Sequence, residues 1–477
     1  MKSRNNLMFL KNNANYQKKL LYLYSALIFL FVLYFLSINF INLSGYWFDE
    51  WCTLLNSDPN SNLKVIKERF WGDIDKPQEE VPIYYYLILR LFFKIFGYTS
   101  ENGRFFSLIF YFFSTFALYF FLRLNFDKSK SLFISIFYCS TPFVLWMSNE
   151  TRVDMFLIFF SIISLLFFFN CHKNNTIKNK ILLCFFNFIT LSIYPLTFSL
   201  VVTQIVFSII KKKYDLIGIV ILSFLIYAVL NYEYILIKST TKGHHYATLE
   251  NSFFVGYFFN KFFGSVLFGF IYLASCCIFF IRNFKKILLN DFILFIALGI
   301  LFTYLMVISS SVLLIPIAAP RYIIFVIPLI LIFLFSNIFL FEKRNGLLVL
   351  VFFILSILNL SLNYNKMPIV KPKTIEALEI INYSKETNLY IEPQQKLFIN
   401  YLSTIKKIDN FKIVKKNEIE KIEVKSFVVL CLNYPSSGYA IKPKNIHEDC
   451  LKDYYGYEEL QKVNFNDFYI RYLKIPN

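Results

Sequence analysis

Long apolar runs recur along the chain, separated by short polar stretches. They fall at 20–41, 105–122, 131–147, 153–170, 181–193, 195–210, 216–237, 263–281, 292–313, 322–340 and 347–362. Most are close to the roughly 17–25 residues that a helix needs to cross about 30 Å of hydrocarbon. The pair 181–193 and 195–210 is short and meets at Tyr194–Pro195, which suits a tight turn at a membrane face. The pattern predicts a mainly α fold, a polytopic transmembrane bundle of about eleven spans. The first run is too long for a signal-peptide core and no small-residue cleavage site follows it, so it is expected to be retained as a span.

After residue 362 the pattern changes. Helical periodicity at 374–384 and 395–404 alternates with strand-like runs: "NLYIE", "FKIVKK", "KSFVVLCLN" and "DFYIRYLKI". This predicts two domains, a transmembrane domain over 1–362 and a small soluble α/β domain over 363–477. No internal repeat interrupts either.

Composition agrees with the pattern. Hydrophobic residues make up 57% of the chain, with 60 Phe and 33 Tyr, and charged residues only 17%. Soluble domains carry about a quarter. The net charge of +18 would suggest nucleic acid in a soluble protein. Here the basic residues sit in short loops between spans, at 1–19, 123–130, 171–180, 211–215, 282–291 and 341–346. By the positive-inside rule these loops are cytoplasmic, so nucleic acid is not an expected partner and membrane lipid is. The N-terminus is then cytoplasmic and the C-terminal domain extracytoplasmic.

The segment "VPIYYYLILRLFFKIFG" (81–97) tests that assignment, because it is apolar yet carries Arg90 and Lys94. If it crossed, every later basic loop would lie outside. It reads instead as an interfacial helix within a long first outer loop, 42–104. The eight cysteines show no CxxC spacing, and most lie in or beside apolar runs. Cys431 and Cys450 fall in the outer domain. They are candidates for a disulfide, or else a buried strand residue and a free thiol.

The chemistry concentrates in "GYWFDEWCTL" (45–54), just after the first span. Asp49 and Glu50 are adjacent carboxylates between Trp47 and Trp51. Ionisable groups at the mouth of a helical bundle are costly to desolvate and tend to mark sites. A carboxylate there can act as general base on an acceptor hydroxyl.

These residues resemble a family. "GYWFDEWCTL" is similar to the Asp–Glu motif after the first span of the GT-C membrane glycosyltransferases. The branch it resembles contains the bacterial relatives of the protein O-mannosyltransferases and of the lipid A aminoarabinose transferase. "VPIYYYLILRLFFKIFGYTSENGR" resembles that family's Pro-Pro-Leu-Tyr-Tyr segment, Phe-Gly, Ser-Glu and the Arg that opens the second span. "RVDMFLIFF" (152–160) and "PRYIIFVIPLILIF" (320–333) resemble its Asp-x-x-Leu-x-x-Phe-Phe and Arg-Tyr…Pro stretches. The resemblance covers roughly 20–335, in consistent order.

The resemblance implies transfer of a sugar from a polyprenyl-phosphate carrier to an acceptor hydroxyl of protein, lipid or glycan. Transfer would occur on the extracytoplasmic face, with inversion, and a bacterial inner membrane is the expected location. Asp49 matches the family's catalytic carboxylate, Glu50 its companion and Asp154 a second functional acid. Asp154 can also be read as a helix N-terminal charge favoured by the dipole. Arg321 and Tyr322 are the best matches for the carrier phosphate, with Arg104, Arg152 and Lys76 as further candidates. Each arginine can also be read as an interfacial anchor.

The sequence departs from the family at "DIDKPQEEVP" (73–82), where either Asp75-Lys76 or Glu80 fills the family's place before the Pro. A divalent metal is left open, with Asp75, Glu80, His244 and His245 as candidate ligands. Adjacent histidines do not make a full metal-ligand spacing. The alternative functions are a lipid-linked glycan transporter or flippase, and a polysaccharide ligase or polymerase. A transporter would place its ionisable groups mid-bilayer, often within paired repeats.

Overall fold

The computed structural model describes residues 2–41, 48–64, 82–240, 255–313, 319–342 and 345–363, and the strand segments 388–391, 412–414, 426–432, 458–465 and 468–474. Helices follow the apolar runs. Among the described residues five are long and apolar enough to cross a membrane: Tyr16–Ser37, within a helix Lys2–Ile41, then Ser100–Leu122, Asp154–Lys173, Val266–Leu289 and Asp291–Leu313. Pro195–Ile210, Tyr214–Leu230, Val326–Phe341 and Gly346–Leu362 are shorter apolar helices.

Proline and asparagine set the breaks. The run expected as one span over 131–147 is two helices, Lys128–Cys139 and Pro142–Met147. Thr141 is extended before Pro142 (φ −69°, ψ 120°), because the proline ring crowds a helical residue in front of it. The turn expected at Tyr194–Pro195 is present: Tyr194 is extended and a 3-10 turn Pro195–Thr197 starts the next helix. The run 216–237 breaks at Asn231, which separates Tyr214–Leu230 from Tyr232–Thr240.

The segment 81–97 forms a helix of 13 residues, Tyr84–Phe96. At 1.5 Å per residue that is about 20 Å, too short to cross. Tyr85, Tyr86, Leu89 and Phe93 are buried, while Ile88, Leu91, Ile95 and Phe96 face outward. Arg90 folds back on the preceding loop, where Nη2 donates to the carbonyls of Pro59 (3.1 Å) and Ser61 (2.7 Å).

The bundle core is aromatic. Phe168 stacks on Phe295 with ring centroids 4.9 Å apart, and Phe207 meets Phe295 edge-on at 5.2 Å, so three helices share one cluster. Ring edges on ring faces add specificity to area burial. One polar knot lies within it. Asn187 Nδ2 donates to Gln204 Oε1 (2.7 Å), Gln204 Nε2 to Ser164 Oγ (3.2 Å), and Ser164 to Asn187. Each group satisfies another, which apolar surroundings require.

Several basic loops gather at one end of the bundle. Lys180 pairs with Asp215 (3.2 Å), Lys211 with Asp291 (2.6 Å), and Arg282 with Glu342 (3.2 Å). His172 Nε2 also meets Asp291 Oδ2, at 3.2 Å.

In the C-terminal region the described strands form one mixed sheet, order β2-β1-β3-β5-β4. Its strands are β1 (Asn388–Ile391), β2 (Lys412–Val414), β3 (Ser426–Leu432), β4 (Glu458–Phe465) and β5 (Phe468–Lys474). β1 runs parallel to β2 and β3, while β5 is antiparallel to β3 and β4. β4 has no counterpart among the expected strands. It is an edge strand with a bulge at Glu459/Gln461, and its charged residues hide the alternation that marks a buried strand. Parallel pairing of β1 and β2 needs a crossover. The helical patterns 374–384 and 395–404 and Cys450 lie outside the described residues, and Cys431 lies in β3 opposite Tyr469.

Candidate active site

The site forms at the opposite end of the bundle from the basic loops. Its first contributor is the helix Phe48–Asn56, with Asp49 and Glu50 in the first turn, where the helix dipole favours negative charge. Trp51, Leu54 and Leu55 bury the helix, and Tyr98 Oη donates to the Leu54 carbonyl at 2.9 Å.

The two acids then part. Glu50 points into the protein and is fully buried, with Arg104 Nε 3.3 Å from Oε1. The Thr151 N–H donates to the same oxygen at 3.0 Å. Arg104 is itself 1% exposed. It is placed by the entry to its helix, where Thr99 Oγ1 caps the Asn102 N–H, and Asn102 Nδ2 donates to the carbonyls of Phe96 (2.7 Å) and Gly97 (3.0 Å). Gly97 has φ 98°, a conformation that favours glycine. The family-like "FGYTSENGR" thus builds the corner that delivers Arg104.

Asp49 points outward, with its side chain 43% exposed. Arg321 Nη1 donates to its Oδ2 at 2.6 Å, Arg152 Nη2 lies 3.5 Å from the same oxygen, and Arg152 Nη1 donates to the Asp49 carbonyl at 3.3 Å. Partial burial works against ionisation of Asp49. The Arg152 and Arg321 charges and the hydrogen bond from Arg321 outweigh it and hold the carboxyl below the ordinary aspartate range.

Arg321 sits in the 3-10 turn Pro320–Ile323, which starts on Pro320. Its second nitrogen, Nη2, donates to Glu150 Oε2 at 3.4 Å. Glu150 belongs to the turn "SNETR" between the helices Pro142–Met147 and Asp154–Lys173, where the Arg152 N–H donates to its carbonyl at 2.8 Å. Asp154 is buried, and its Oδ2 has no hydrogen-bond partner among the described residues. It adds to the negative field around Arg321, along with Asp49 and Glu150. Tyr322 packs against Tyr194, ring centroids 6.0 Å apart.

Asp49, Glu50, Arg104, Arg152, Asp154 and Arg321 therefore share one site, with Tyr322 beside it. Lys76, Asp75, Glu80, His244 and His245 lie outside the described residues. Among the described residues no group of three or more His, Cys, Asp or Glu side chains is arranged to hold a metal. Glu150 was not singled out by the sequence. Its signal was available: "NETRVD" places three charged residues within five positions between two apolar helices.

The described residues thus form a many-helix, largely apolar bundle with an acid–guanidinium cluster at one end. The sequence model of the dolichyl-phosphate-mannose-protein mannosyltransferase family matches residues 80–232. That segment contains Arg104, Glu150, Arg152 and Asp154 but neither Asp49 nor Arg321. Among solved structures the chain is similar to ArnT from Cupriavidus metallidurans bound to undecaprenyl phosphate. The TM-score is 0.58 at 10% identity, over 94% of this chain and 98% of that one. It is also similar to the same protein in the apo state, with TM-score 0.57 at 10% identity, over 93% and 97%. No curated protein matches by sequence. The resemblance carried by the motifs is thus met by a family match in sequence and by a shared fold.

Proposed function

We propose that this chain is a membrane glycosyltransferase that moves a sugar from a polyprenyl-phosphate carrier to an acceptor hydroxyl. The observation that carries the reading is an outward-facing carboxylate, Asp49, set beside the guanidiniums of Arg321 and Arg152. A base for the nucleophile and cations for a phosphate leaving group are the two things such a transfer needs. The family description names a dolichyl-phosphate sugar donor, and the ArnT of similar fold holds undecaprenyl phosphate. Both support a lipid-phosphate donor.

In this reading Asp49 takes the proton of the acceptor hydroxyl. The acceptor oxygen forms its bond to the anomeric carbon as the bond from that carbon to the phosphate oxygen breaks. The electron pair of that bond stays on the carrier phosphate, where Arg321 and Arg152 stabilise it. A single displacement inverts the anomeric centre. Tyr322 adds a hydroxyl near the phosphate. Glu50 and Arg104 act as an internal clamp that fixes the first turn of the Phe48–Asn56 helix. Asp154 supplies a buried acceptor for a sugar hydroxyl.

The positive-inside rule supports placing the basic-loop end in the cytoplasm and the site on the extracytoplasmic face. Nucleotide sugars are absent there, which favours a membrane-borne donor. Residues 1–362 would be the catalytic membrane domain and 363–477 a separate α/β domain. Transfer of labelled sugar from a polyprenyl-phosphate donor by purified protein tests the reading. Transport of the lipid-linked sugar without transfer would replace it.

A further inference from the structure

Arg321 is held between two carboxylates of different character. The side chain of Asp49 is 43% exposed and that of Glu150 1% exposed, and each takes one guanidinium nitrogen. Glu150 is fixed inside a turn whose neighbours are buried: Ser148, Asn149, Thr151 and Asp154. A buried carboxylate that left its guanidinium would remain a desolvated charge, whereas an open one can be rehydrated. The two partners of Arg321 are therefore unequal, one fixed and one free to leave.

A guanidinium N–H that binds a carboxylate oxygen also binds a phosphate oxygen, because both are anionic acceptors. Asp49 takes Nη1 of Arg321, and the approach of Arg152, that a phosphate would use. A carboxylate so engaged is a poor base. Its lone pairs point at guanidiniums rather than at a hydroxyl.

We propose that Asp49 is an exchangeable anion that stands in for the donor phosphate. When the carrier phosphate binds, it takes the place of Asp49 on Arg321 and Arg152. Glu150 keeps its hold on Arg321 throughout, and Asp49 is released toward the acceptor. This rests on the polyprenyl-phosphate reading above. It makes binding ordered, donor before acceptor, and it couples creation of the base to the presence of a sugar to transfer.

The test uses the full-length protein in detergent and a polyprenyl phosphate without sugar, titrated to obtain its Kd. Asp49→Asn and Asp49→Ala, each checked for an unchanged elution profile and a cooperative thermal transition, should bind the lipid about tenfold more tightly than the unaltered chain, because the competing anion is gone. Plain repulsion between Asp49 and the phosphate would also tighten binding, so the same substitutions are made in an Arg321→Gln background. Exchange predicts that the gain shrinks to less than about twofold there, since the close Arg321 contact is gone and only the longer contact with Arg152 at 3.5 Å is left to compete for. Equal or weaker binding by the Asp49 variants, or an undiminished gain without Arg321, overturns the exchange while leaving the donor reading intact. Failure of the unaltered chain to bind polyprenyl phosphate at all overturns the donor reading itself.

Discussion

The backbone N–H of Thr151 donates to Glu50 Oε1 at 3.0 Å, across 101 positions of sequence. This contact ties the Asp–Glu turn to the turn that carries Glu150 and Arg152. The two adjacent acids take opposite directions, one facing in and one facing out.

Substitution of the pair should show that division. Asp49→Asn is nearly isosteric and removes the outward base, so transfer should fall about 10²–10⁴-fold, with a smaller loss of Tm than a break in the buried Glu50–Arg104 pair. Glu50→Gln removes the carboxylate charge that faces the buried Arg104 guanidinium. Breaking a buried pair costs about 3–5 kcal/mol, so the thermal midpoint in detergent should fall clearly. An unchanged Tm in Glu50→Gln together with a dead enzyme would move the base to Glu50. Normal transfer by both variants would end the glycosyltransferase reading.

Gly103 offers a steric test of the same junction. A Cβ there would lie 2.5 Å from Thr151 Cγ2 and 2.7 Å from Thr151 Oγ1. Gly103→Ala must therefore push Thr151 away from Glu50. Overpacking of this kind costs about 1–3 kcal/mol, and transfer should drop with it. Thr151→Ala removes both clashing atoms, so the double variant should recover most of the loss. Purely additive defects in Tm and rate would mean that the two residues do not meet.

The pH dependence follows from the arginines around Asp49. Its carboxyl is held below the ordinary aspartate value in the folded protein. Its share of stability is therefore complete above the unfolded aspartate value. That share is lost as pH falls through the lower folded value. The acid limb of kcat/KM should lie below the usual aspartate range, because that limb reports the free enzyme. Arg152→Gln removes one opposing charge, so the limb should move to higher pH. A limb that does not move would assign it to another group.

Topology can be checked by labelling. Cysteines placed at Lys128 and at Lys178 should react only with a membrane-permeant thiol reagent in intact cells. A cysteine at Lys94, on the short Tyr84–Phe96 helix, should react with an impermeant one. Impermeant labelling at Lys128 would mean that the 84–96 segment crosses, which would separate Glu50 from Arg104, or, if Lys94 is then protected, that the bundle is inverted and the site faces the cytoplasm.

Some of this protein was settled by sequence alone. Hydropathy is a property of a short window, so the apolar helices and the turn at Pro195 are local matters, while the break at Pro142 inside the run 131–147 was passed over. The Asp–Glu motif was legible for the same reason: two charges beside a span stand out without any knowledge of what they face. Edge strand β4 escaped because its partners, not its composition, make it a strand. The opposite orientations of Asp49 and Glu50 were equally hidden, since adjacent residues on one helix turn differ only in direction. Arg321 lies 272 positions from Asp49 and 171 from Glu150. No window contains those three residues. Packing of the bundle brings them within hydrogen-bond reach, and the burial it imposes on Glu150 but not on Asp49 decides which carboxylate is fixed and which is open to solvent.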